Sequence, residues 1–473
     1  MRSDKGMRID KIGGTCARIV LAAASSGSGK TLITCGLLQA LKERGMRPSA
    51  FKCGPDFIDP LFHETVLETP SVNLDTYFTD DETSRYLFLK HAAGSDISVI
   101  EGVMGYYDGV AGTQTQASTY DAARVTDSPV ILIINSRGMS LSALACIRGF
   151  MEFRPDSRIQ GVIFNQMSGM LYPRIREAAE KELGVKCFGY VPVMEDMHLK
   201  SRHLGLVLPG EIADLRDRLH VLAGRLEETL DIDGMIGIAA GAGYLEGARR
   251  MPEDATASSG RKTKVAVSKD QAFCFLYRDN LELLSEMGAQ IVYFSPLHDR
   301  ELPSADGLIL CGGYPELYAK ELSDNESMRS SVRRALAGGM PVLAECGGFM
   351  YLQQQMEDAQ GHVRKMCGVL QGQAFRTEKP GRFGYISLTP EKEQMLGMDC
   401  GPIRAHEFHY FDCTECGDSF LAQKPGSSRS WRCMAGTGTM LAGFPHLYLY
   451  SAPKAAAAFL DRCAEYSARR RGK

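Results

Sequence analysis

An apolar run, Ala17–Ala24, breaks into Ser25-Ser26-Gly27-Ser28-Gly29-Lys30-Thr31 and then into a helical pattern over Lys30–Arg44 that stops at Gly45. This junction limits the possible folds more than any other feature. A strand that is apolar without alternation has to be covered on both faces. The helix that follows directly covers one of them, and repeating the unit gives a parallel sheet with right-handed crossovers. The repeats are there, at Ile97–Ile100, Val130–Ile134 and Gln160–Phe164. A polar stretch over Gly247–Lys262, GARRMPEDATASSGRK, then interrupts the pattern and reads as a linker. Beyond it come Thr263–Val267, a helix around Asn280–Met287, Gln290–Phe294, Gly307–Leu310, a helix ending at Gly338, and Pro341–Ala344. The expectation is two doubly wound α/β domains, residues 1–248 and 263–473, joined by a linker over 249–262.

Composition narrows the function classes. The 473 residues carry 54 Lys plus Arg against 57 Asp plus Glu, a net charge of -3, which supplies no general field for nucleic acid or an anionic membrane. No uninterrupted apolar run reaches the roughly 18 residues that a spanning helix needs. Met1–Gly14 is polar and lacks the apolar centre of an export signal, so a cytoplasmic location is expected. Cys35, Cys187 and Cys311 lie inside apolar runs, as free thiols that pack do. Cys413 and Cys416 form a lone C-x-x-C with only Cys400 and Cys433 as further ligands, which favours a reduced loop over zinc.

The glycine loop suggests phosphate binding. Gly27 and Gly29 let backbone N–H groups turn inward, with Ser26, Ser28 and the helix start completing a cradle. Lys30 can reach the β- and γ-phosphates of ATP, and Thr31 can bind Mg²⁺. Ala24 stands where the first glycine of the full loop pattern belongs, and Ser25 where partitioning-type ATPase switches carry a second lysine. Glu101 closes the buried run Ile97–Ile100, the position of a carboxylate facing the metal. Asp56 and Asp59, in KCGPDFIDP after a second short strand, are either metal or phosphoryl-transfer groups or a turn and a helix cap. The metal candidates are therefore Thr31, Asp56 and Glu101.

The second half carries a thiol. Cys346 follows the run Pro341–Ala344 and precedes Gly347, Gly348 and a helical pattern, the arrangement of a nucleophile on a strained turn. Gly312 and Gly313 form a glycine loop after another strand, so Gly313 and Gly347 are the candidate oxyanion donors. His446 is the candidate base, about 100 residues later.

Several segments resemble the cobyrinic acid a,c-diamide synthase family. They are SSGSGKT at Ser25–Thr31, KCGPDFIDP at Lys52–Pro60, VIEGVMGYYDG at Val99–Gly109, RHLGL at Arg202–Leu206, NLELL at Asn280–Leu284, GGYPELY at Gly312–Tyr318, AECGGFMYL at Ala344–Leu352 and HEFHY at His406–Tyr410. The resemblance runs from Arg18 to about Leu460. It implies a P-loop, dethiobiotin synthetase-like domain followed by a class I glutamine amidotransferase-like (flavodoxin-like) domain. It further implies ATP- and glutamine-dependent amidation of the a and c carboxylates of cobyrinic acid through an acyl phosphate, with Mg²⁺ and ATP bound. L-glutamine would supply the ammonia through Cys346 and His446. Ordinary class I glutaminases place a glutamate two residues after the histidine, and Tyr448 stands there, so the group orienting the imidazole is unassigned. The alternatives are a sister enzyme acting on hydrogenobyrinate or nickel sirohydrochlorin, and a nucleotide-binding regulator. RHLGL and HEFHY are corrin contacts, or a helix end and a structural loop. No nucleic-acid or membrane partner is expected, and a homodimer stays open.

Overall fold

Every residue of Arg18–Ala23 is buried, because this strand has neighbours on both sides and helices on both faces. The structure, a computed structural model, describes residues 7–194, 201–202, 205–206, 215–253 and 263–471. The chain forms two units, Asp10–Arg249 and a second made of residues 250–473 with the start of the chain up to Ile9.

In the first unit, β1 (Met7–Thr15) precedes β2 (Arg18–Ala23), β3 (Pro48–Cys53), β4 (Ser71–Leu74), β5 (Ile97–Glu101), β6 (Val130–Asn135), β7 (Ile159–Asn165) and β8 (Lys186–Val191). β2 to β8 build one parallel sheet in the order β4-β3-β5-β2-β6-β7-β8. From β2 the chain moves to one side for β3 and β4 and later crosses to the other for β6. This reversal of winding opens a crevice at the carboxyl end of β2, where sheets of this kind bind ligands. Helix α1 (Lys30–Glu43) begins there, while α2 (Ile58–Thr65) follows β3. Gly45, at φ 79°, closes α1, as the stop signal predicts. Val20, Phe51, Ile100, Leu132 and Phe164 are among the core residues.

Tyr244–Pro252 is a strand paired with β1, although its second half belongs to the polar stretch that reads as a linker. Its inward positions include Gly247 and Arg249, which no apolar pattern marks. Arg249 is buried against Asp10 at 3.1 Å and stacks over Tyr86. Residues 254–262 of that stretch lie outside the described residues.

The second unit contains a sheet ordered Ala289–Phe294, Thr263–Ser268, Gly307–Leu310, Val342–Glu345, Met440–Gly443 and Ala435–Gly436. Its first five strands are parallel and the last is antiparallel. An antiparallel sheet follows, in which Ile403–Phe408 lies between Phe383–Pro390 and His446–Leu447. HEFHY therefore starts inside a strand rather than in a loop, and His406 pairs with His446. All fourteen cysteines are free thiols. Cys416 donates to Asp412 at 3.2 Å, and no group of metal-binding side chains found among the described residues includes a cysteine. No helix among the described residues is long and apolar enough to cross a membrane.

Candidate functional site

Gly29, at φ 89°, is the residue before α1, a left-handed conformation that glycine adopts without strain. A Cβ there would lie 2.2 Å from Asn165 Nδ2. That amide donates to the Ser28 carbonyl at 2.8 Å, so the end of β7 braces the loop. Gly27 also has positive φ, and the Ser25 and Ser28 hydroxyls meet at 3.3 Å. Lys30 Nζ donates to the carbonyl of Met104 at 2.5 Å and to that of Ser25 at 3.4 Å. Burial, with Lys52 nearby, holds its ammonium down at about 8. The loop thus carries a poorly solvated cation at the positive end of a helix, and an anion of high charge would relieve that desolvation.

Thr31 Oγ1 donates to Glu101 Oε1 at 2.6 Å. The same oxygen accepts from Lys52 Nζ at 2.8 Å, and Lys52 also pairs with Asp59. The second oxygen, Glu101 Oε2, is buried without a hydrogen bond and lies 3.6 Å from His63 Nε2. Burial pushes Glu101 up and holds His63 down at about 4. Burial opposes the charges of Asp59 and Lys52 as well. Their mutual attraction prevails, holding the Asp59 carboxyl low and the Lys52 ammonium high. Asp56 is half-buried and accepts the Ile58 N–H at 2.8 Å. Burial and then Asp59 push it up to about 7. Thr31, Glu101, Lys52, Asp59 and His63 thus form one connected cluster, with Asp56 capping α2 at its edge.

Cys346 sits at φ 46°, ψ −104° between the strand Val342–Glu345 and the helix Gly347–Leu352. Such a conformation stores strain and lifts a side chain out of the strand line. Its N–H is held by the Gly443 carbonyl at 2.7 Å, and the Gly347 N–H is directed at its sulfur. A Cβ on Gly312 would lie 2.4 Å from His446 Cε1 and 3.4 Å from Cys346 Cβ. Only glycine admits thiol and imidazole together at this spot. Gly312–Gly313, expected as a loop, is a short strand paired with Phe273–Phe275, and a Cβ on Gly347, the first residue of the helix, would lie 3.2 Å from the Gly313 nitrogen. Burial pushes the Cys346 thiol up and His446 down to about 3. In the closed site the pair is therefore neutral. Glu345 Oε2 lies 3.8 Å from His446 Nδ1, while Glu345 Oε1 accepts the Leu447 N–H at 3.2 Å. Burial pushes that carboxyl up to about 8. Tyr448 turns elsewhere and donates to Asp279 at 2.5 Å.

Two family models match this chain. Residues 19–206 match the CobQ/CobB/MinD/ParA nucleotide binding domain, and residues 264–447 the CobB/CobQ-like glutamine amidotransferase domain. The cobyrinate a,c-diamide synthase of Listeria innocua is 39% identical over 442 residues, covering 92% of this chain and 97% of that protein. The enzyme of the same name from Caldanaerobacter subterraneus is 36% identical over 457 residues, covering 95% and 99%. The chain belongs to the cobyrinate a,c-diamide synthase family. As a member it is a glutamine-dependent ligase, with the phosphate loop in its nucleotide-binding domain and Cys346 in its amidotransferase domain.

Lys52, His63, Asn165 and Glu345 touch the candidate residues, although the motifs do not single them out. Lys52 is the last residue but one of β3 and Glu345 ends its strand, and a charged residue at that place is the available signal. Of RHLGL, Arg202 and Gly205 pair across a two-stranded hairpin, while His203 and Leu204 lie outside the described residues. HEFHY brings a buried group beside the dyad. Glu407 is fully buried, and His409 Nε2 is 3.5 Å from its Oε2.

Proposed function

We propose that this enzyme amidates the a and c carboxylates of cobyrinic acid, using ATP to activate each carboxylate and glutamine as the nitrogen source. The observation that carries the reading is the coexistence in one chain of a nucleotide loop joined to a buried acid cluster and a strained cysteine packed against a histidine. A carboxylate does not react with ammonia, because oxide would have to leave. The carboxylate oxygen attacks the γ-phosphorus of ATP, ADP departs, and an acyl phosphate forms. Ammonia then attacks the acyl carbon, a proton is lost, and inorganic phosphate leaves with the C–O bond electrons. Lys30 and the loop N–H groups hold the nucleotide and oppose the charge on the transferred group.

The oxygens of Thr31 and Glu101 fit Mg²⁺, a hard cation that takes few protein ligands and keeps water and phosphate oxygens. Glu101 Oε2, buried without a hydrogen bond, is the group an ion would satisfy. When bound, the ion neutralises phosphate charge. Lys52 keeps Asp59 ionised, and Asp56 would serve as a phosphoryl-transfer group.

In the second unit, the Cys346 sulfur attacks the glutamine side-chain carbonyl, with Gly313 and Gly347 offering N–H groups to the oxyanion. His446 takes the thiol proton and passes it to the departing ammonia, leaving a thioester. It then takes a proton from water as the water oxygen attacks the thioester carbon; the C–S bond breaks, glutamate leaves, and the proton returns to the Cys346 sulfur.

Separating the two half-reactions tests this reading. Cys346→Ala should lose glutamine-dependent synthesis while still amidating the corrin when given ammonia at alkaline pH. Full glutamine-dependent activity in that variant would place the nucleophile elsewhere. Running the assay on hydrogenobyrinate and nickel sirohydrochlorin distinguishes the sister activities.

A further inference from the structure

A thiol and an imidazole need a third group, because a free ring samples orientations and both tautomers, of which only one accepts the thiol proton. Tyr448, which stands where ordinary class I glutaminases carry that group, has its hydroxyl on Asp279. The loop after His446 is pinned apart from the imidazole, with Leu449 N–H on Asn280 Oδ1 at 2.7 Å and Asn280 Nδ2 on the Leu447 carbonyl at 2.7 Å.

One carboxyl group lies beside Nδ1 of the ring. Glu345 immediately precedes the nucleophile on the same strand. Its backbone pairs in register with Gly443, so it is fixed to the segment that leads to His446. One of its oxygens is tied to the Leu447 N–H at 3.2 Å, and the other lies 3.8 Å from His446 Nδ1. The bond to Leu447 aims the side chain. A movement of a few tenths of an ångström, of the kind catalytic contacts make when substrate binds, turns the Nδ1 contact into a hydrogen bond. Other charged groups nearby belong to different elements. Glu316 and Glu407 act on Cys346, and His406 and His409 on His446.

We propose that Glu345 is the positioning residue of this glutaminase site: its second carboxyl oxygen accepts from His446 Nδ1 and thereby leaves Nε2 as the basic nitrogen that takes the thiol proton. In this arrangement the orienting acid comes from the residue before the nucleophile, instead of the second residue after the histidine. The proposal rests on the reading of Cys346 and His446 as the glutaminase pair.

The test is steady-state glutamine hydrolysis by the full chain bearing Glu345→Gln, Glu345→Asp or Cys346→Ala. Glutamine at position 345 keeps a carbonyl oxygen for the Leu447 N–H but cannot ionise, and its amide can present a donor to Nδ1. The expected result is a fall in kcat of about 100-fold, with KM for glutamine within about threefold of the parent. Ammonia-dependent amidation should be retained, and Glu345→Asp, which keeps a carboxyl group, should recover part of kcat. Parental kcat in Glu345→Gln, alongside an inactive Cys346→Ala, would overturn the role of Glu345 and leave the dyad standing. Equal loss in the Gln and Asp variants, with a lowered unfolding midpoint in both, would make Glu345 a strut and would also overturn the proposal. An active Cys346→Ala would instead refute the reading of the dyad itself.

Discussion

Thr31 and Glu101 meet through a 2.6 Å hydrogen bond. One residue opens the helix after the phosphate loop, and the other ends a neighbouring strand of the same sheet. Parallel pairing of β2 with β5 brings their carboxyl ends level, so the hydroxyl and the carboxylate converge where the winding of the sheet reverses. Lys52 reaches the same oxygen from β3. Two adjacent strands and the first turn of α1 thus contribute to one polar cluster at the base of the nucleotide crevice.

Glu101→Gln should lower ammonia-dependent amidation by about 100-fold and raise the Mg²⁺ concentration needed for half-maximal rate. Glutamine hydrolysis measured without nucleotide should be unchanged. A Mg²⁺ titration of amidation in both proteins checks this, and superimposable curves would assign Glu101 to structure alone.

Lys52→Met should destabilise the first unit by about 3–5 kcal/mol, because Asp59 would keep a buried charge without its cation. Urea unfolding followed by circular dichroism reads this directly. A midpoint equal to that of the parent would mean that water or rearrangement satisfies the acids.

Lys30 is held at about 8 by burial. Below that pH the side chain is charged and opposes phosphate, while above it the free enzyme loses the charge. ATP affinity should therefore weaken as pH rises through about 8, and a bound nucleotide should shift the transition upward. Lys30→Ala should bind ATP weakly at every pH and amidate with neither glutamine nor ammonia. Calorimetric titration with ATP from acid to alkaline pH separates these outcomes, and a flat profile in the parent would rule out Lys30 as the titrating group.

The strand, loop and helix around Lys30 could be read from the residues, because a run without alternation, paired glycines and an uninterrupted helical period all have local causes. Cys346 could be read for the same reason. Glu345 could not, since its target lies on a strand reached only through the sheet, and a carboxylate beside a nucleophile looks like an ordinary strand end. His63 was hidden similarly: on α2 its polarity suggests an outward position, yet it faces Glu101 in the interior. The strand over Tyr244–Pro252 escaped because its inward side is made of Gly and Arg as well as Leu and Met. Burial of Arg249 depends on Asp10, which lies 239 residues away.

Gly312→Ala offers a local test of the thiol site. The added methyl would meet His446 Cε1 at 2.4 Å, closer than packed atoms approach, so the imidazole has to move. Glutamine hydrolysis should fall by at least about 100-fold, with ammonia-dependent amidation retained. Unchanged hydrolysis would show that the ring has room to shift without cost.

The most direct measurement is mass spectrometry of the corrin after incubating the enzyme with cobyrinic acid, ATP, Mg²⁺ and glutamine. The predicted product carries two new amides, at the a and c side chains, with one ADP and one glutamate formed for each. Corrin recovered unchanged while ATP and glutamine are consumed, or amides on other side chains, would contradict the proposed activity.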